Sequence, residues 1–475
     1  MNRYDKEFAI FLKHGSKYTI ANFFVKAISF FAIPIYTRLL TPSDYGILAV
    51  FNSAVGIFSI IYGLQMYGSV GRYYLEKTDD FSDFLGTNLI ALVLIIVVEG
   101  AIFWTFKESI MKFFVLPIFL FPFLIALSIV SFGFAIYGNL LVVKRNSSEY
   151  TLISVFKALS FFLLSVFLMY HMKSDRYLGN IYASFLVTIV VFGYSFYKLF
   201  PMVRFNFKIE HLKYSINYNL PAIPGALSGF ILAFFDRIII NQLTNSTNTG
   251  LYSLAYNIAM ALSIIYGGLF AAWFPTFVED MRDEKYNKIR ILTSRFTDIV
   301  LFFALLIAIF SNEIIYLMAP PKYYAALHLI PIITIGYIFL FISNIYSYFT
   351  SYRKEKIIAV SMNLLIVAAA NIGLNYLFIP KYGYSIAAVT TAFSYFLLMF
   401  LNYFTVRYLL KENVLYLKMF LLKFIFALVF YLILLGITFS IDNQFILLSI
   451  KIIAMLLWGY FVFIKQVFLM REDFF

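Results

Sequence analysis

The chain has 475 residues, of which 62% are hydrophobic, 21% aromatic and only 13% charged, with a formal net charge of +13. An average soluble domain is about half apolar and a quarter charged, so a mean hydropathy of +0.86 leaves too little polar surface for a water-soluble globule. Soluble enzymes, nucleic-acid binders and disordered chains are excluded, and the lack of cysteine excludes disulfides, thiolate metal sites and a thiol nucleophile.

Met1–Lys17 reads as a cytoplasmic tail rather than a secretory signal, because the apolar stretch after it is too long and no small-residue cleavage pattern follows. From there, apolar windows of about 20 residues predict fourteen transmembrane helices. They lie near 18–38, 46–70, 85–106, 115–141, 149–170, 178–199, 217–240, 250–275, 297–318, 325–350, 357–378, 383–405, 415–437 and 444–464. Pro117, Pro122 and Pro331 fall inside windows, where membrane helices tolerate them. With the N-terminus in the cytoplasm, 26 of the 37 Lys and Arg fall in cytoplasmic segments and eight in external ones; Lys26, Lys157 and Lys451 lie inside spans. This is the positive-inside bias, and it places both termini in the cytoplasm.

Charge inside a span is costly and marks a cavity or a partner. In the first span Lys26 stands on a stripe with Thr19, Asn22 and Ser29. In the fifth, Lys157 stands beside Ser154 and Ser160. Both amines lie about eight residues in, roughly 12 Å deep, which fits an anion-binding cavity. The plain alternative is a lysine bridging helices through carbonyls or snorkelling to the interface. Glu99 in the third span has no evident partner, is placed near the external interface by Trp104 and Lys107, and is a weak candidate for a coupling group. Asp236-Arg237 closes the seventh span, either as a self-neutralising pair or as a substrate contact, and Arg38 occupies the matching place at the end of the first. Lys451 has only apolar neighbours on its helix and is expected to snorkel. Pro221–Gly229 is the strongest helix-breaking run in any span, and the polar stretch Val278–Arg295 is expected to form a solvated surface helix.

Gly46–Gly63 (GILAVFNSAVGIFSIIYG) and Gly250–Gly267 (GLYSLAYNIAMALSIIYG) match at both ends, and each follows a span containing proline and ending in arginine. The offset covers six spans, so the copies enter the membrane in the same direction, as in a parallel repeat. The expected organisation is two six-helix lobes, 1–205 and 206–410, with two further helices and a tail in 411–475.

Pro34–Gly46 (PIYTRLLTPSDYG), Phe235–Ile240 (FDRIII) with Gly250–Tyr256 (GLYSLAY), and Pro380–Ala388 (PKYGYSIAA) resemble segments of the Wzx-type oligosaccharide flippases of the multidrug/oligosaccharidyl-lipid/polysaccharide exporter superfamily. The resemblance implies an all-α, V-shaped bundle like that of the multidrug exporters of that superfamily. It implies that an undecaprenyl-pyrophosphate-linked repeat unit is moved from the cytoplasmic to the outer leaflet of the bacterial inner membrane, for O-antigen, capsule or exopolysaccharide assembly. Implied partners are the lipid-linked oligosaccharide, membrane lipids, a polysaccharide polymerase and a chain-length regulator, with no nucleic acid and no cofactor. Lys26, Asn22, Ser29, Arg38, Lys157, Asp236 and Arg237 are the candidate substrate-binding residues. No GxxxxGK[ST] loop is present, so an ion gradient or the membrane potential is the expected driving force. A lipid II flippase or a cation antiporter of the same superfamily are the alternatives; an antiporter should show carboxylates where this chain shows lysines. A membrane glycosyltransferase or polymerase fits poorly, because every external loop is short.

Overall fold

A computed structural model describes residues 23–76, 79–353, 357–439, 441 and 443–464. The described chain is helical throughout. The first expected span begins outside the described residues, as do Met1–Lys17 and Asn22; its described part is a helix over 23–39 (α1). Thirteen further helices among the described residues are long and apolar enough to cross a membrane, and they match the second to fourteenth expected spans one to one.

In chain order, α1 is followed by α2 (Pro42–Ile61), α3 (Tyr67–Glu76), α4 (Phe81–Thr105), the short α5 (Lys107–Phe114), α6 (Phe121–Val143), α7 (Ser147–His171) and α8 (Tyr177–Leu199). Then come α9 (Ile209–Asn219), α10 (Ile223–Leu243), α11 (Ser246–Arg282), α12 (Tyr286–Ile309) and the short α13 (Ser311–Met318). The last five are α14 (Leu329–Tyr352), α15 (Ile357–Tyr382), α16 (Ile386–Phe404), α17 (Leu417–Phe439) and α18 (Gln444–Gly459).

Local sequence explains several starts and stops. Thr41-Pro42-Ser43-Asp44 opens α2 as a capping box: Thr41 Oγ1 accepts from the Asp44 amide, the Asp44 carboxylate accepts from the Thr41 amide, and Pro42 takes the first helical position. Asn146 and Asn443 cap α7 and α18 in the same sense. Large apolar side chains such as Val93, Leu94, Val97 and Val98 on α4 are exposed, as a lipid-facing surface requires.

The chain forms two compact units. One gathers the described residues up to Ser253 with Leu364–Ala387, and the other gathers Leu254–Asn363 with the described residues from Ala388 onward. In the first, α7 packs on α8, α8 on α6, and α2 on both α6 and α10. In the second, α12 packs on α14, α17 and α18.

Two expectations are corrected. Val278–Arg295 is not a separate surface helix: α11 runs straight through Pro275 to Arg282, a tight turn with Glu284 left-handed at φ 55° follows, and α12 starts at Tyr286. The polar residues are the ends of two spans, so α12 begins about ten residues earlier than its apolar window and stops at Ile309, where Phe310 leaves helical geometry. The Pro221–Gly229 run gives only a single 3₁₀ turn, Leu220–Ala222, joining α9 to α10. The sharper break lies at Tyr62–Gln65, where no proline stands.

The two matching segments touch each other. A Cβ at Gly46 would collide with the Ser246 carbonyl, and a Cβ at Gly250 would collide with the Pro42 carbonyl. Gly46 and Gly250 are equivalent in the two copies, as are Pro42 and Ser246, so the contact is reciprocal. The preceding spans match too: Arg38 Nη1 donates to the Pro34 carbonyl at 2.6 Å, and Arg237 Nη1 to that of Ala233 at 3.0 Å, each four residues back.

Candidate functional site

The first unit contains a cavity of about 480 Å³ lined by α1, α2, α6, α7 and α8. That is within the usual range for a small-ligand site, about 300–1,000 Å³. Its wall is mostly apolar, with hydroxyls from Ser29, Tyr36, Ser131, Tyr150, Ser154, Ser184 and Thr188 and one cation, Lys157. The sequence produces this lining through helical spacing. Tyr150, Ser154, Lys157 and Phe161 recur every three or four residues and share one face of α7, as Val25, Ile28, Ser29, Ala32 and Tyr36 do on α1.

Lys157 Nζ approaches the Phe134 ring, 6.0 Å from its centroid, and forms no ion pair among the described residues. A cation on an apolar wall, with hydroxyls around it, can receive an anion without first breaking a salt bridge. Ser29 Oγ and Ser131 Oγ donate to the carbonyls of Val25 and Leu127, which leaves their lone pairs to accept from a guest. Tyr36 Oη is tied to Ser165 Oγ at 2.6 Å.

The other expected site residues are distributed differently. Lys26 is exposed on α1 and is not part of the cavity wall, although Val25 and Ser29 are. Ser160 is likewise not in the wall, and Arg38 is exposed. Asp236 is fully buried and Arg237 nearly so. The Asp236 carboxylate accepts from Tyr252 Oη and from Asn375 Nδ2, both at 2.7 Å, and Asn375 Nδ2 also reaches Asn371 Oδ1. The Arg237 guanidinium lies 4.9 Å from the Phe234 ring centroid. Asp236 therefore belongs to a buried amide and hydroxyl network and not to the cavity.

Three charged residues have partners that one helix alone could not reveal. Lys451 does not snorkel: its Nζ pairs with the Glu313 carboxylate at 2.8 Å, tying α18 to α13. Glu99 is not partnerless, since its Oε2 accepts the Gly63 amide at 2.9 Å. Lys423 binds Asp298 at 2.7 Å and Ser294 at 2.6 Å and pins α17 to α12. These pairs join residues more than a hundred positions apart or a side chain to a backbone amide, so no sequence spacing announces them. Among the described residues, no group of three His, Asp or Glu gathers that could hold a metal ion.

Residues 11–281, more than half of the chain, match the family described as "Polysaccharide biosynthesis protein". A curated relative from Haemophilus influenzae, "Lsg locus putative protein 1", is 23% identical over 277 residues, covering 56% of this chain and 66% of its own length. An uncharacterised membrane protein of Methanocaldococcus jannaschii is 24% identical over 366 residues, covering 72% of this chain and 64% of its own. The matches thus span just under two thirds of the length of both relatives. Among solved structures, "Lipid II flippase MurJ, inward closed conformation" superposes with a TM-score of 0.71 at 17% identity, covering 95% of this chain and 99% of that one. An inward-facing multidrug resistance MATE family transporter of the MOP superfamily gives 0.67 at 15% identity, covering 82% and 94%. The fold is the one those proteins share, and the chain is a multi-pass helical membrane protein that belongs to the polysaccharide biosynthesis protein family.

Proposed function

We propose that the protein is a flippase that carries an undecaprenyl-pyrophosphate-linked oligosaccharide from the cytoplasmic to the outer leaflet of the bacterial inner membrane. It would do so by alternating access between the lobes 1–205 and 206–410, with 411–475 attached to the second. The observation that carries this reading is the cavity with Lys157 as its one wall cation. A lipid pyrophosphate is an anion joined to a polar glycan, and moving it makes and breaks no covalent bond. The work is recognition of charge and hydroxyls, which an unpaired ammonium among serine, threonine and tyrosine side chains can provide. Family membership and the shared fold support the same reading. Lys26, Arg38 and Asp236-Arg237 enter it as secondary candidates, outside the cavity.

The test is surface polysaccharide export in cells whose own flippase is deleted. Lys157→Ala should abolish export, and Lys157→Arg should retain part of it, because the charge is kept while the donor geometry changes. Lys26→Ala, outside the cavity, should have the smaller effect. Normal export by Lys157→Ala at normal membrane abundance would remove the main support for the reading.

A further inference from the structure

α2 and α3 belong to one continuous stretch whose path is broken between them. Gly63, Leu64 and Gln65 have φ of 61°, 50° and 52°, a left-handed run that residues with side chains adopt only under strain. Strain of this kind persists where surrounding structure holds it. The local sequence does not force it. The second copy of SIIYG, Ser263–Gly267, lies inside the unbroken helix α11, and Gly267 is not among the glycines with positive φ.

In the first copy the break meets Glu99 on α4. Its Oε2 accepts the Gly63 N–H at 2.9 Å, and its other oxygen has no hydrogen-bond partner among the described residues. Tyr62, fully buried at the break, lies within electrostatic reach of Glu99, and its hydroxyl has no partner. The buried Nε2 of Gln65, on the same break, has none either. Unfilled polar groups converging on one strained segment mark a place where something further binds.

No charged side chain on the neighbouring elements answers Glu99. On α3, Arg72 pairs with Glu76. On α5, Lys107 lies over Trp104, and Glu108 and Lys112 do not reach Glu99. On α9, His211 pairs with Asp80, and Glu210 and Lys213 do not reach it either.

We propose that Glu99 is a proton-binding switch: ionised, it holds the α2–α3 break open; protonated, it releases it. As the anion it is a charge-assisted acceptor for the Gly63 amide. A proton from water adds to the free carboxylate oxygen and makes a new O–H bond, so that Glu99 becomes a donor for the vacant Tyr62 hydroxyl oxygen. The Gly63 amide then loses its charged partner and returns to the helical ladder, as the equivalent Gly267 segment already does. This goes beyond the flippase reading and does not depend on it; if that reading holds, the proton is the coupling ion.

The test needs no substrate. The chain has no native cysteine, so spin labels can be placed at Asn52→Cys on α2 and Leu75→Cys on α3, both exposed. The inter-label distance is then measured on purified protein titrated from neutral to acid pH. The distance should shift to longer values with a one-proton midpoint, and Glu99→Gln should stay at the acid-end distance at every pH. A wild-type distance that ignores pH, or one that shifts equally in Glu99→Gln, would overturn the switch. If Glu99→Gln does not fold, pH-titrated infrared spectroscopy decides. A protonated-carboxyl band with the same midpoint, displaced in Glu99→Asp, assigns the proton to this residue, and a band unmoved in Glu99→Asp refutes the assignment.

Discussion

Lys451 and Lys157 both sit on spans of mostly apolar residues, yet one is paired and the other is not. The Lys451–Glu313 contact is buried at the lysine end and about one-third exposed at the carboxylate. Removing one partner leaves a charge with no answer, whereas removing both leaves a neutral contact. Lys451→Met should therefore lower stability by about 1–3 kcal/mol, less than for a fully buried pair because Glu313 is partly solvated. The double variant Lys451→Met/Glu313→Gln should recover most of that, and thermal unfolding in detergent measures both. Asp80, between α3 and α4, gives a pH-dependent counterpart. Burial would raise its carboxyl, but hydrogen bonds from Tyr73 and His211 outweigh burial and hold it below the usual carboxylate range. A group depressed in the folded state stabilises it above the unfolded pKa, about 3.9, and loses that contribution as pH falls through the folded value. The melting temperature of wild type should exceed that of Asp80→Asn by a constant margin at neutral pH, and the margin should close in the acid range below about pH 4. The presence of in-span charges was legible from sequence; their partners were not, because Glu313 lies 138 positions from Lys451 and a backbone amide such as that of Gly63 carries no sequence signal.

At the scale of helices, apolar windows identify spans well because the bilayer demands them, but they locate boundaries by polarity and not by geometry. The start of α12 is the instructive case: its first turns carry Lys288, Arg290 and Arg295 and still belong to the membrane helix. Likewise, proline content misplaced the main break. Pro275 sits within a continuous α11 and Pro380 within α15, while the break falls at Gly63, whose amide donates to a carboxylate on another helix. What the sequence did announce was the pair of equivalent glycines. Membrane helices approach closely only where small residues let their backbones meet, and Gly46 and Gly250 face each other's chain through the carbonyls of Ser246 and Pro42. Gly46→Val or Gly250→Val must push α2 and α11 apart and should lower stability by about 1–3 kcal/mol. Gly100→Ala, where a Cβ meets nothing within 4 Å, should be neutral or raise stability by up to about 1 kcal/mol through helix propensity. Equal losses at all three positions would show that helical glycine, and not the crossing, is being measured.

For the whole molecule, an all-helical membrane protein and the order of its spans were legible in the sequence, since both follow from apolar periodicity and length. Sidedness rests on the basic-residue bias alone. Thiol labelling from outside sealed cells should reach Thr247→Cys and Gln444→Cys and should miss Lys285→Cys; reaction at Lys285→Cys would invert the topology. The reciprocal glycine contact then yields the decisive mechanical prediction. If two lobes related by the repeat rock against each other, the helices that open each copy must touch in one state and part in the other. Ser43 and Thr247 are equivalent in the two copies, and each lies within three residues of the glycine contact on its own helix. A Ser43→Cys/Thr247→Cys pair should therefore be joined by a short reducible crosslinker in a chain without background thiols. On the proposed rocking mechanism, joining should stop export, and reduction should restore it. Efficient crosslinking with undiminished export would make the crossing a fixed structural joint, and the motion would have to be sought between other helices.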